Sequence, residues 1–136
     1  MKYPDKTLRN AIERIQTVAV LGAKQEGPAF YVPEYLQKAG LEIHPISPRG
    51  GEILGREVSA SLADLEGAVD AVLIFRRSDA VAGHVPEILA MDPLPHVVWM
   101  QVGVENEKAA EELTGAGIQV IQNRCLMVEH RRLFGS

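Results

Sequence analysis

The chain has 136 residues and a mass of 14.9 kDa, room for one domain (1–136) but too little for separate cofactor and substrate lobes. Its 46% hydrophobic and 24% charged composition can bury a real core, and a formal net charge of −4 argues against a general nucleic-acid binder. A single cysteine excludes an internal disulfide and favours a reducing, cytoplasmic setting, while the absence of an apolar leader or span-length run argues against a membrane role.

Two periodicities alternate along the chain. Asp5 is placed to cap a first helix whose apolar Leu8, Ile12 and Ile15 share one face. The run Thr17-Val-Ala-Val-Leu21, ending at Gly22, predicts a strand buried on both faces. Pro28 suits the first turn of the next helix, which carries Val32, Tyr35, Leu36 and Ala39 on one face, and Gly40 suits its end. Leu41 to Ile46 is a second strand, halted by Ser47-Pro48-Arg49-Gly50-Gly51. A short helix is expected from Asp64 to Ala68, then a third strand from Ala71 to Phe75. Val81, Val85, Ile88 and Leu89 mark the following helix, with Pro86 as an early-turn residue or a kink. His96 to Met100 is a fourth strand, and Asn106 caps a helix that Gly115 and Gly117 can end. Ile118 to Ile121 is a fifth strand, and Asn123-Arg124-Cys125 leads into a last helix. Strands and helices joined by short connections predict a three-layer, doubly wound α/β fold of the Rossmann type, with a mainly parallel sheet of about five strands.

Open parallel sheets bind ligands at the carboxyl ends of their strands. Those ends read Gly22-Ala23-Lys24-Gln25, Ser47-Pro48-Arg49, Arg76-Arg77, Gln101-Val102-Gly103 and Asn123-Arg124. Lys24, Arg49, Arg76, Arg77 and Arg124 are thereby expected on one rim, a cationic edge on an acidic protein that suits a small anion. Gly22 and Gly27 have the outer spacing of a phosphate-binding loop, yet Pro28-Ala29 stand where a P-loop needs Lys and Ser or Thr. The same glycines would serve a plain turn equally well. After the second strand an NAD site expects an acid, whereas Arg49 suits a ribose phosphate, as in NADP or coenzyme A, or is simply a solvated arginine.

The segments VAVLGA (18–23), YVPEYLQKAG, IHPISPRGGEILG, IFRRSDA (74–80), VVWMQVGVENEKAA (97–110) and the terminal NRCLMVEH occur in one order over nearly the whole chain. In these the sequence resembles the small single-domain CoA-binding proteins, which are similar to the N-terminal CoA-binding domain of the succinyl-CoA synthetase α subunit. The resemblance implies a site for coenzyme A or an acyl-CoA. Gly22, Ala23, Lys24 and Gln25 would form the first phosphate-contacting loop, Pro48 and Arg49 would flank the adenosine with Arg49 on a phosphate, and Ser47 precedes them at the end of the second strand as a further binding residue. Phe75 and Arg76 would line the middle of the groove, Gln101 and Gly103 the pantetheine path, and Asn123 and Arg124 the last strand end. One departure is Lys24, where the family commonly has serine. The synthetase's phosphorylated histidine and nucleotide-grasp machinery belong to other domains, so the resemblance implies binding without a ligase reaction.

The residues offer little chemistry of their own. His44, His84, His96 and His130 have no metal-binding spacing, and no GxSxG elbow is present. Glu105, Glu107, Glu111 and Glu112 read as a solvated helix face. Cys125 is the one candidate nucleophile, beside Arg124 and ahead of a helix start, unless it is a packed small residue. An NADP-dependent oxidoreductase and a protein-interaction module on the same scaffold are the competing readings, and a homodimer is compatible with all of them.

Overall fold

A computed structural model describes residues 3–135. Its sheet is built from β1 (Thr17–Leu21), β2 (Glu42–Ile46), β5 (Ala71–Ile74), β6 (Val97–Met100) and β7 (Gln119–Ile121), which pair in parallel in the order β2-β1-β5-β6-β7. Among the described residues five α-helices surround it: α1 (Asp5–Glu13), α2 (Pro28–Lys38), α3 (Ser78–Leu89), α4 (Glu107–Gly115) and α5 (Leu126–Phe134). None of them is long and apolar enough to cross a membrane.

The period-2 geometry of a strand decides which layer each residue feeds. Val18 and Val20, Ala71 and Leu73, and Val97 and Trp99 point to one face, where they meet Leu8 and Ile12 of α1, Leu36 of α2 and Leu126 of α5. Their neighbours Ala19 and Leu21, Val72 and Ile74, and Val98 and Met100 point to the other, against Val81, Val85 and Ile88 of α3 and Leu113 of α4. Both faces of every central strand are thus dry, which is why these strands read as unbroken apolar runs. The three-layer, doubly wound expectation is met.

Several local expectations need correction. Asp5 does not cap α1: Pro4 is the cap residue, and Asp5, the first helical residue, pairs with Arg132 of α5 at 2.9 Å. In place of a helix over 64–68 there is a single 3-10 turn at Leu62–Asp64. Pro86 lies well inside α3, away from its first turn. A small antiparallel hairpin of β3 (Glu52–Ile53) and β4 (Arg56–Glu57) was not anticipated. Asn106 does cap α4, its side chain accepting from the Ala109 amide at 3.0 Å. Pro28 opens α2, and Gly40 follows its C-cap with φ +103°.

At the lower edge of the sheet Asp70 joins three strands. Its carboxylate accepts from the Gln16 and Thr17 amides at 2.8 and 3.0 Å, and its carbonyl accepts from the His96 and Val97 amides. The opposite edge, where the strands end, is left for loops.

Candidate functional site

The chain leaves β1 toward β2 on one side and later builds β5, β6 and β7 on the other. The gap between the ends of β1 and β5 is therefore the switch point, where a crevice opens above an α/β sheet. Gly22 forms its floor. Its φ is +87°, and a Cβ there would stand 2.3 Å from the Phe75 carbonyl oxygen, so no other residue fits without displacing backbone.

Two cavities meet at this point. The smaller, about 430 Å³, is lined by Gly22, Ser47, Pro48, Ser61, Arg76 and His84, among others. The larger, about 910 Å³, runs from Lys24 and the start of α2 past Phe75 and Arg76 to Gln101, Gly103 and Cys125. Arg76 borders both and is exposed.

The loop after β1 is held in a defined shape. The Gly22 and Ala23 amides both donate to the Ile46 carbonyl, at 3.0 and 3.2 Å, so the first two N–H groups of the loop are occupied by β2. Ala23 is buried in the core. The Gln25 side chain donates to the Glu52 carbonyl at 2.7 Å and ties the loop to the hairpin. Among the described residues, the amides of Gln25, Glu26 and Gly27 donate no backbone hydrogen bond, and they precede the amino end of α2. That is the geometry in which backbone N–H groups can meet an anion.

The loops after β5, β6 and β7 are laced together. Ser78 Oγ donates to the Gly103 carbonyl and accepts from the Glu105 amide, at 3.1 and 2.9 Å. Asn123, at φ +56°, accepts from the Gly103 amide at 2.7 Å. Gln101 is buried, and its Oε1 accepts from the Leu126 amide at 2.9 Å, capping α5 with a side chain from another element. Cys125, half-buried, is the cap residue of that helix and lines the larger cavity. In the smaller cavity His84 Nδ1 lies 2.8 Å from Glu87 Oε1, which fixes the imidazole against the carboxylate.

The structure thus brings Gly22, Ser47, Pro48 and Arg76 around one cavity, and Lys24, Phe75, Arg76, Gln101 and Gly103 around the other. Ala23, Gln25, Arg49, Asn123 and Arg124 border neither. The expected rim of five cations is correspondingly smaller. Lys24, Arg76 and Arg77 line the larger cavity, with Arg77 paired to Asp79 at 3.0 Å. Arg49 is exposed on the loop beyond β2. Arg124 lies over the Tyr3 ring, 5.4 Å from its centroid, and donates to the Asn123 carbonyl. Its own carbonyl accepts from the indole of buried Trp99 at 2.9 Å, so this segment closes the core. The strand-end reading missed Tyr31, Met127, Val128, His84 and Ser61, because they reach the cavities from helices and from the connection after β4.

Comparison with known proteins fits this geometry. The chain is 34% identical over 133 residues to the uncharacterized protein YneT of Bacillus subtilis (strain 168), covering 96% of this chain and 97% of that one. A solved Thermus thermophilus protein, cell-free ID.343, superposes with a TM-score of 0.90 at 43% identity, covering 97% of this chain and 100% of its own. A hypothetical protein from Pyrococcus horikoshii OT3 does so with a TM-score of 0.90 at 29% identity, over 98% and 94%. Residues 16–131 match the family described as the CoA binding domain, and the chain belongs to that family.

Proposed function

We propose that this protein binds coenzyme A across the switch point, as a binding module with no reaction of its own. The observation that carries the reading is the pair of cavities joined at Arg76. Coenzyme A has a nucleoside end, a doubly charged middle and a long, mostly uncharged arm. The smaller cavity, with Ser47 and Pro48 beyond β2, suits the adenosine. Arg76, Lys24 and the open amides of 25–27 suit the pyrophosphate. The larger cavity, walled by Phe75, Val104 and the start of α5, suits the pantetheine arm. Arg49, exposed on the loop beside Pro48, is assigned to the ribose 3′-phosphate from outside the cavity.

Calorimetry with coenzyme A, 3′-dephospho-CoA and NADPH tests this. Coenzyme A is expected to bind, the dephospho form more weakly, and NADPH weakest. Arg76→Ala should lower coenzyme A affinity roughly tenfold or more, since it removes a charge-assisted contact. Arg49→Ala should erase the difference between the two coenzyme A forms. No heat with coenzyme A up to roughly 1 mM, the weak end of specific affinity, would overturn the proposal. Tighter binding of NADPH would replace it with the oxidoreductase reading.

A further inference from the structure

We infer that the ligand is an acyl thioester of coenzyme A with an apolar acyl chain, which lies on Tyr31, Val102, Met127 and Val128. This rests on the coenzyme A reading and adds the class of the acyl group.

Five large apolar side chains are exposed among the described residues, and Tyr31, Val102 and Val128 all line the larger cavity, exposed by 48%, 66% and 46%. Single exposed apolar residues are ordinary; several on the rim of one cavity mark a contact surface. Val102 is held out by the backbone. It lies in a turn closed by the Val104 amide on the Gln101 carbonyl at 2.9 Å, and the Gly103 amide is pinned by Asn123. Tyr31 comes from α2, and Met127 and Val128 from the first turn of α5. Those two helices pack side by side, linked by the Tyr35 hydroxyl and His130 Nδ1 at 2.9 Å.

The cavity also has a direction. Its cations, Lys24, Arg76 and Arg77, come from the loops after β1 and β5, whereas Val102 comes from the loop after β6, and Tyr31, Met127 and Val128 from the wall that α2 and α5 form together. A ligand with its phosphates on the cationic loops therefore runs its other end toward Val102, along the apolar wall of α2 and α5. The thiol of free coenzyme A would leave that wall wet, and an apolar chain on the sulfur would cover it. A carboxylated acyl group would find none of the cavity's cations there.

The test is calorimetry on the full chain with coenzyme A, octanoyl-CoA and succinyl-CoA. Octanoyl-CoA is expected to bind at least tenfold more tightly than coenzyme A, which about two fully buried methylenes suffice to give. Succinyl-CoA should show no such gain. In a Val102→Ser, Val128→Ser variant the ratio of octanoyl-CoA to coenzyme A affinity should fall toward one. Equal affinity of the wild type for coenzyme A and octanoyl-CoA would overturn the inference and leave the coenzyme A reading standing. Failure of every thioester and of coenzyme A would overturn both. A dimer in sedimentation that the double variant dissociates, with no acyl preference, would assign the apolar wall to a second copy of the chain instead.

Discussion

At Gly22 the backbone of β1 leaves the sheet through a space that the Phe75 carbonyl also enters, and only a hydrogen on the α-carbon allows both. Gly22→Ala combines a positive φ with a backbone overlap, so it should cost about 2 kcal/mol or more, read as a shift in the urea midpoint. A loss under about 0.5 kcal/mol would mean that the β1 loop relaxes freely. This glycine was legible because it ends an apolar run at the first strand-to-helix step. The cap at Asn106 was legible for the same kind of local reason. Arg124 was not: its ring partner is Tyr3, more than a hundred residues earlier in the chain, and nothing in the local pattern points there. Gln101 shows the same limit, since its partner amide belongs to a helix that begins after the next strand.

Among the elements, the pairing of α2 with α5 sets the outer wall of the larger cavity. His130 of α5 meets the Tyr35 hydroxyl and the edge of its ring, with Phe134 on its other side and Arg131 over Tyr35. Burial holds the His130 imidazole below its ordinary pKa of 6.5. Between those two values the unfolded chain binds more protons than the folded one, so this group lowers stability as pH falls. The loss begins as pH drops through about 6.5 and levels off below the folded value. The melting temperature should therefore decline from pH 7.5 to 5.5, and His130→Phe, which keeps a ring there, should flatten that slope. An unchanged slope in the variant would remove His130 as its source.

The hairpin of β3 and β4 is the element that sequence patterning does not disclose. Its strands have two residues each, too short for alternation to register. Its turn is Leu54-Gly55, with φ of +54° and +75°, and a leucine there lacks the Asn-Gly signature by which such turns are recognised. Leu54 is tolerated because it packs on the core and because its carbonyl accepts from the Gln37 side chain at 3.0 Å. Asp5 misled for a related reason. An acid at a helix start looks like a cap, and here its carboxylate is drawn to Arg132, which holds it below the ordinary carboxylate range.

Across the whole molecule the alternation of apolar strands and amphipathic helices fixed the layers in advance, since a strand dry on both faces needs helices on both sides. The two cores pack on opposite faces of one sheet. Trp99, fully buried on the α1–α2–α5 side, is the one tryptophan and reports on that layer. Leu113→Ala, on the α3–α4 side, should destabilise by about 2–5 kcal/mol. Trp99 fluorescence and far-ultraviolet dichroism should then still report one midpoint. Separate midpoints would show that the layers unfold independently. The cavities were less legible than the layers because helices supply much of their walls, and spacing along a strand is silent about which helix face arrives above its end.

Arg76, bordering both cavities, makes the proposed ligand bivalent. Each half of coenzyme A would occupy its own recess, and the covalent pyrophosphate link would present the second half at a high effective concentration once the first is seated. Adenosine 3′,5′-bisphosphate and pantetheine, offered together but unlinked, should then fall far short of intact coenzyme A in competition. Selectivity would come from the distance between the recesses: a ligand carrying either half with a linker of the wrong length would gain only one of them.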